Sequence, residues 1–377
     1  MTYASAHAPA EAGMALEEVD TPALVVELDV MEANLTEMAR RAAEAGVRLR
    51  PHSKTHKCAE ISLRQMALGA VGVCCQKVSE AEAQVEHGVS NVLISNQVVG
   101  GRKIARLVDL AARARVGVCV DHPENVDELG RAAAAAKVAL NVLVEIDVGA
   151  SRCGVAPGAP AVALAERVAS HPSLAFEGLQ AYQGRAQHLR TVAEREAAIC
   201  RAVELVTETR RALSSAGLPV ETIAGAGTGT YELEAGSGVY NELQPGSYVF
   251  MDADYARNLG LDGGPVTTFE HSLFVYATVM SIPSDETAIV DAGLKAFSVD
   301  SGLPVPRPSD GGEYVGASDE HGKLSLAGTN RRYRLGEKVL LVPGHCDPTV
   351  NLYDWLVAVR GGTVESVWPV VGRGAVY

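Results

Sequence analysis

Eight consecutive residues, Arg50-Pro51-His52-Ser53-Lys54-Thr55-His56-Lys57, hold the densest chemistry in the chain. They follow the short apolar run Val47-Arg48-Leu49 and precede a helix-patterned segment from Cys58 to Leu68. The stretch therefore reads as the end of a strand turning into a loop, which is where α/β folds put reactive groups. A lysine held there among cationic and imidazole neighbours can have its ammonium pKa lowered and act as a nucleophilic amine that forms a Schiff base. Lys54 is the candidate. By composition alone the same residues also read as a solvated basic loop.

Two further patterns could serve such an amine. Gly225-Ala226-Gly227-Thr228-Gly229-Thr230 is a small-residue turn of the kind that holds phosphate on backbone N–H groups. Gln244-Pro245-Gly246-Ser247-Tyr248 comes shortly after it and adds a hydroxyl, so the two loops could share one phosphate. Either one is also a plain turn. In Pro343-Gly344-His345-Cys346-Asp347-Pro348-Thr349, extended backbone would point His345 and Asp347 the same way and send Cys346 off. One imidazole and one carboxylate suit a divalent cation such as Mn²⁺, with water or substrate filling the remaining positions; a closed zinc site wants four protein ligands. A bare His-x-Asp is more often a surface turn, so the pair makes sense only beside the barrel mouth. The polar cluster Ser318 to Gly322 reads as an acidic turn that could approach the same place.

The elements that must position these groups follow from periodicity. Apolar runs at 23–28, 47–50, 70–75, 92–95, 116–120, 140–146, 176–181 and 220–224 alternate with amphipathic, alanine-rich segments. Eight such strand-helix units predict a (β/α)8 TIM-like barrel, with the glycine-rich turn after the eighth strand. An open doubly wound sheet is the alternative, but no GxGxxG follows the first strand. The strand ends would bring Asp29, Lys54, Gln76, Asn96, Asp121, Asp147 with Arg152, and Tyr182 with His188 toward one mouth. Asp29, Asn96 and Asp121 read better as capping or turn residues. Beyond Thr267 short strands joined by Gly, Pro and Asp turns predict a C-terminal antiparallel β domain. The expected division is an extension over 1–20 that returns to the β domain, a barrel over 21–266 and a β domain over 267–377.

Composition limits the partners. The 377 residues are 47% hydrophobic and 21% charged with a net charge of -13, which argues against nucleic acid or an anionic membrane. No apolar run is long enough to span a bilayer, and the first residues lack the pattern of a signal peptide. The seven cysteines are scattered, several within apolar runs, as expected of reduced thiols in a cytoplasmic protein.

Taken together, the KTHK loop, Cys74-Cys75-Gln76-Lys77-Val78-Ser79-Glu80-Ala81-Glu82, Val144 to Gly149 with Arg152-Cys153-Gly154-Val155, Gly178 to Tyr182, Asn241 to Tyr248, Asp291 to Lys295 and the GHCDPT stretch resemble a known family. It is the D-threonine aldolase and D-serine dehydratase group, metal-activated pyridoxal-phosphate enzymes of the alanine-racemase-like fold. The resemblance runs from Thr21 to Tyr377. It implies a Schiff base between Lys54 and pyridoxal phosphate, a phosphate held by Thr228, Gly246 and Ser247, and ring contacts from Gln76, Arg152 and Tyr182. It further implies a divalent metal, Mn²⁺ or Mg²⁺, on His345 and Asp347, His188 as general base, and a homodimer. The dehydratases of the group use His-x-Cys with zinc and the aldolases His-x-Asp, so Asp347 implies retro-aldol cleavage of a β-hydroxy-D-amino acid. D-threonine and 3-hydroxy-D-aspartate remain alternative substrates, Arg185 or Arg190 being the available cations for the second carboxylate. A dehydratase and a non-catalytic pyridoxal-phosphate carrier are the rival functions.

Overall fold

The structure, a computed structural model, describes residues 8–308 and 311–377. Residues 1–7 of the expected N-terminal extension lie outside the described residues. The first strand, β1 (Ala23–Glu27), is not in the barrel, so the expected number of eight strands holds but the first of those expected is replaced. Its run Ala-Leu-Val-Val is buried on both faces, as a barrel strand would be, and periodicity cannot separate the two cases.

The barrel instead uses β2 (Arg48–Leu49), β3 (Val73–Cys75), β4 (Asn91–Gln97), β5 (Arg115–Val120), β6 (Leu140–Glu145), β7 (Leu174–Gln180), β8 (Thr222–Gly225) and β9 (Glu242–Leu243). All are parallel, in the order β2-β9-β8-β7-β6-β5-β4-β3. Backbone bonds from Val71 N to Leu49 O at 2.9 Å and from Cys74 N to Pro51 O at 2.8 Å join β3 to the β2 side. The eighth strand is thus the two-residue β9, too short to stand out in sequence, and the glycine-rich turn follows the seventh. The second small-residue turn follows the eighth. Loops after strands seven and eight are where such barrels bind phosphate.

Helix α1 (Leu28–Glu44) precedes β2, and α2 (Ala59–Ala67), α3 (Val78–Glu86), α4 (Gly101–Ala111), α5 (Pro123–Ala136), α6 (Ala159–Ala169), α7 (Val192–Ser215) and α8 (Tyr231–Gly236) surround the barrel. Their ends carry local signals. A capping box of Thr191 and Glu194 starts α7, and Pro123 opens α5 in its first turn. In β7, Gly178 has φ +141°, and a Cβ there would lie 2.0 Å from the Thr222 carbonyl oxygen, so only glycine lets β7 and β8 approach. Inside the barrel, Cys74, Leu93, Cys119, Leu143 and Ala224 form a small apolar layer.

The second sheet takes β10 (Leu273–Ser284), β11 (Thr287–Val290), β12 (Val305–Arg307), β13 (Glu313–Ala317), β14 (Gly322–Ser325), β15 (Lys338–Val342), β16 (Trp355–Arg360) and β17 (Thr363–Pro369), with α9 (Cys346–Val350) between β15 and β16. β1 sits at its centre, antiparallel to β10 and parallel to β16. Gly13 N donates to Val364 O at 2.8 Å and Leu16 N to Gly362 O at 2.9 Å, tying the start of the chain to β17 and the turn before it. One apolar cluster runs from Leu24, Leu28 and Met31 through Ile61 and Tyr248 to Val275, Leu341 and Leu356. Each fully buried side chain of this size contributes about 1.5–3 kcal/mol, so the cluster binds barrel and sheet into one core.

Candidate active site

A cavity of about 260 Å³ opens at the C-terminal ends of the barrel strands, facing the loop before α9. Its lining contains every residue to which the resemblance gives a cofactor, metal or base role: Lys54, Gln76, Arg152, Tyr182, His188, Thr228, Gly246, Ser247, His345 and Asp347. Asn96 does not line it and donates instead to Gln76 O at 3.0 Å. Asp29 is far from it, exposed and paired with Arg360. Asp121 and Asp147 accept from the amides of Gly154, Gly149 and Ser151, and so build the turn that carries Arg152.

Lys54 lies in a 3-10 turn, Ser53–Thr55, directly after β2. His52 caps that turn by accepting from Lys54 N at 3.3 Å, and its other nitrogen meets Gln76 Nε2 at 2.8 Å. Burial and the Lys54 charge hold His52 well below the usual imidazole range, so it is neutral. The lowered pKa expected for Lys54 is reversed. Its Nζ lies 2.7 Å from Asp347 Oδ2, and that carboxylate raises the ammonium above its ordinary value despite burial. The Lys54 side chain is 42% accessible, but that access is to the cavity.

His345 and Asp347 converge through a different backbone from the extended one expected. His345 caps α9 and Asp347 sits in its first turn. His345 Nδ1 is 2.8 Å from Asp300 Oδ2, and its Nε2 is 4.0 Å from Asp347 Oδ1. That separation lies within the sum of two metal–ligand bonds of about 2.0–2.2 Å each. Asp347 Oδ1 is buried and without a hydrogen-bond partner, as an oxygen awaiting a cation would be. Burial pushes Asp347 up, yet Lys54 and His345 outweigh it and its pKa falls to about 2. Among the described residues no group of three or more His, Cys, Asp or Glu gathers to hold a metal. Cys346 faces the core and donates to Met251 O at 3.2 Å.

Opposite, Thr228 Oγ1 accepts from Tyr248 N at 3.0 Å and links the two small-residue loops. The amides of Gly227, Thr228, Gly246 and Ser247 donate to no protein acceptor among the described residues. They are what a phosphate requires. The cavity therefore fits pyridoxal phosphate at both ends, an amine at one and unpaired amides at the other.

His188 ends a 3-10 turn, Gly184–His188. Its Nδ1 lies 2.6 Å from Asp254 Oδ2, and its ring leans on Tyr255 with centroids 5.9 Å apart. The Arg152 guanidinium stands 6.0 Å from the Tyr182 ring centroid, and burial raises the Tyr182 phenol. Arg190 is committed to Asp254 at 2.6 Å and does not line the cavity, nor does the exposed Arg185. The Ser318–Gly322 cluster is also elsewhere, with Glu320 paired to Lys295 at 2.6 Å on the surface.

The sequence reading missed Ser95, Glu145, Gln180, Gln244 and Tyr255 in the lining, and Asp252, Asp254 and Asp300 behind it. Ser95, Glu145 and Gln180 are polar residues ending apolar runs, which is a usable signal. Choosing Asn96 in place of Ser95 missed the inward face by one position, and Asp147 lies beyond the end of β6, in the turn that carries Arg152. Asp252 accepts from Tyr255 N and Cys346 N and is pushed to about 6 by burial, and nothing local marks it.

Residues 26–254 match the model of the alanine racemase N-terminal domain, and 272–359 match that of a serine dehydratase domain. The chain is 47% identical over 367 residues to a D-threonine aldolase of Arthrobacter sp., covering 97% of this chain and 96% of the relative. It is 46% identical over 373 residues to the 3-hydroxy-D-aspartate aldolase of Paracoccus denitrificans, covering 98% and 96%. A crystal structure of D-threonine aldolase from Filomicrobium marinum superposes with a TM-score of 0.95 at 53% identity, covering 98% of this chain and all of that one. Dehydratases are more distant relatives, at 30% identity and below.

Proposed function

The chain belongs to the family that joins an alanine racemase N-terminal domain to a serine dehydratase domain and includes the D-threonine and 3-hydroxy-D-aspartate aldolases, and from that premise we propose how its cavity works. The protein is an aldehyde-lyase that cleaves a β-hydroxy-D-amino acid to glycine and an aldehyde. The observation that carries the assignment of roles is that a lysine, a histidine, a His/Asp pair and two phosphate-type loops line one cavity.

Lys54 would hold pyridoxal phosphate, with the phosphate on Thr228, Gly246, Ser247 and their amides, and the ring among Gln76, Arg152 and Tyr182. His345 and Asp347 would hold Mn²⁺ or Mg²⁺. When bound, the cofactor accepts the electron pair released at Cα, and the dication acidifies the β-hydroxyl. A cation on Asp347 would offset the carboxylate charge that holds Lys54 as an ammonium. His188 takes the hydroxyl proton on Nε2, because Nδ1 is turned to Asp254. Asp347, in the position where the dehydratases resembled carry cysteine, favours cleavage of Cα–Cβ over loss of the hydroxyl.

D-threonine and 3-hydroxy-D-aspartate are both substrates to test. The commitment of Arg190 to Asp254 favours the neutral one. All seven cysteines are free and five are buried, which supports a cytoplasmic setting. Among the described residues no helix is long and apolar enough to cross a membrane. The homodimer that the family resemblance implies is part of the same proposal.

Borohydride reduction of the yellow protein followed by peptide mapping tests the reading directly. The tag should fall on Lys54, and EDTA should abolish glycine release from D-threonine. A tag on another lysine, or turnover indifferent to chelation, overturns the cofactor or metal assignment respectively.

A further inference from the structure

We infer that Asp254 is a positioning residue that fixes the tautomer and orientation of His188, so that Nε2 is presented unprotonated to the cavity. The inference rests on the proposed role of His188 as base. Asp254 lies in the segment that leads from the barrel to β10 and is only 5% exposed. Its Oδ2 lies 2.6 Å from His188 Nδ1. Its Oδ1 receives the guanidinium of Arg190 at 2.6 Å and that of Arg257 as well. A carboxylate so occupied stays ionised and accepts from every partner, which requires the imidazole proton to be on Nδ1.

The surroundings fix the carboxylate in turn. Asp254 N donates to Gly344 O at 3.2 Å, one residue before His345, and Ala253 N donates to Pro343 O at 3.0 Å. Arg257 also donates to Ser301 O at 2.9 Å, next to Asp300, the partner of His345. The same short segment therefore sets the base and buttresses the loop that carries the candidate metal ligands. Tyr255, following Asp254, lies against the His188 ring and limits its rotation. When His188 accepts the β-hydroxyl proton on Nε2, the Nδ1 proton stays in the Asp254 bond and the positive imidazolium faces a fixed negative charge.

Asp254→Asn separates orientation from shape. Both guanidiniums claim one oxygen of residue 254, so the asparagine carbonyl goes to them and its NH₂ turns to His188. A donor at that point forces Nδ1 to accept and moves the imidazole proton to Nε2, the wrong nitrogen for a base. The variant should lose kcat by about 10²- to 10³-fold while KM for D-threonine changes less than about 3-fold.

The decisive measurement is ¹⁵N NMR of histidine-labelled holoenzyme, with the His188 signals assigned by their loss in His188→Gln. Wild type should show a protonated Nδ1 and bare Nε2, and Asp254→Asn the reverse. A protonated Nε2 in the wild type overturns the inference even if the variant does not fold. So does an Asp254→Asn enzyme that keeps its kcat. A wild type that shows this tautomer but releases no glycine would instead sink the aldolase reading and leave the arrangement of Asp254 standing.

Discussion

Glu234 shows what a single buried acid does behind a binding loop. It lies in α8, immediately after the glycine-rich turn, and accepts from Thr230 Oγ1 at 2.9 Å. Thr230 in turn accepts from Gln187 Nε2 at 2.8 Å, and Gln187 Oε1 accepts from Gly229 N at 2.9 Å. The second carboxyl oxygen has no partner, and burial pushes the group from the usual 4.5 to about 8. At neutral pH it is therefore protonated beneath the place proposed for a phosphate. Because the folded-state pKa is the higher, the folded chain keeps a proton that the unfolded chain has lost between those two values. The contribution to stability is complete below about pH 4.5 and is lost as pH rises through about 8, a change on the order of a few kcal/mol. Glu234→Gln removes the titrating group and keeps an acceptor for Thr230. Urea midpoints at pH 5 and pH 9 should diverge more for wild type than for the variant. Equal divergence would mean that Glu234 ionises normally.

At the scale of elements, the site is built where two loops from opposite ends of the chain's barrel segment touch. A Cβ at Gly246 would meet Thr55 Oγ1 at 2.6 Å and the His52 carbonyl oxygen at 3.2 Å. The loop after β9 thus lies directly on the turn that holds Lys54. Gly246→Ala must push these apart, misplacing two amides and the lysine turn together. The expected outcome is pyridoxal-phosphate affinity weakened at least about tenfold with fold retained, read by absorbance titration, since about 1.4 kcal/mol of lost contact suffices. Unchanged affinity would remove Gly246 from the phosphate site. The two loops were legible in the sequence as small-residue turns, and so were the lysine, the His-x-Asp and most of the strand-helix alternation, because each rests on local composition. What failed needed tertiary knowledge. β1 has the apolar run of a barrel strand and pairs instead with β10 and β16, hundreds of residues away. β9 is two residues long, and its place as the eighth strand comes from pairing with β2 and β8. The pKa of Lys54 was expected to fall on the strength of its cationic neighbours, but its nearest charge, Asp347, comes from the other end of the chain.

For the whole molecule, the placement of β1 decides how barrel and β domain relate. The chain starts in the second sheet, builds the barrel and returns to finish the sheet, so a cut near residue 266 would leave β1 without its two neighbours. Leu24 and Val26 would lose partners in β10 and β16, and α1 with Leu28 and Met31 would be uncovered on the same side. The candidate site crosses the same boundary, with Lys54 on the barrel and its partner Asp347 in α9. A core continuous across both parts should unfold as one unit. The protein carries its own separate reporters for this. Both tryptophans, Trp355 and Trp368, lie in the second sheet, whereas a cofactor on Lys54 reports on the barrel. Tryptophan fluorescence and cofactor absorbance followed along one urea titration should share a midpoint and slope. A cofactor signal lost well before the tryptophan transition, in a protein still compact by sedimentation, would mean that the barrel opens by itself and that the shared core does not couple the two.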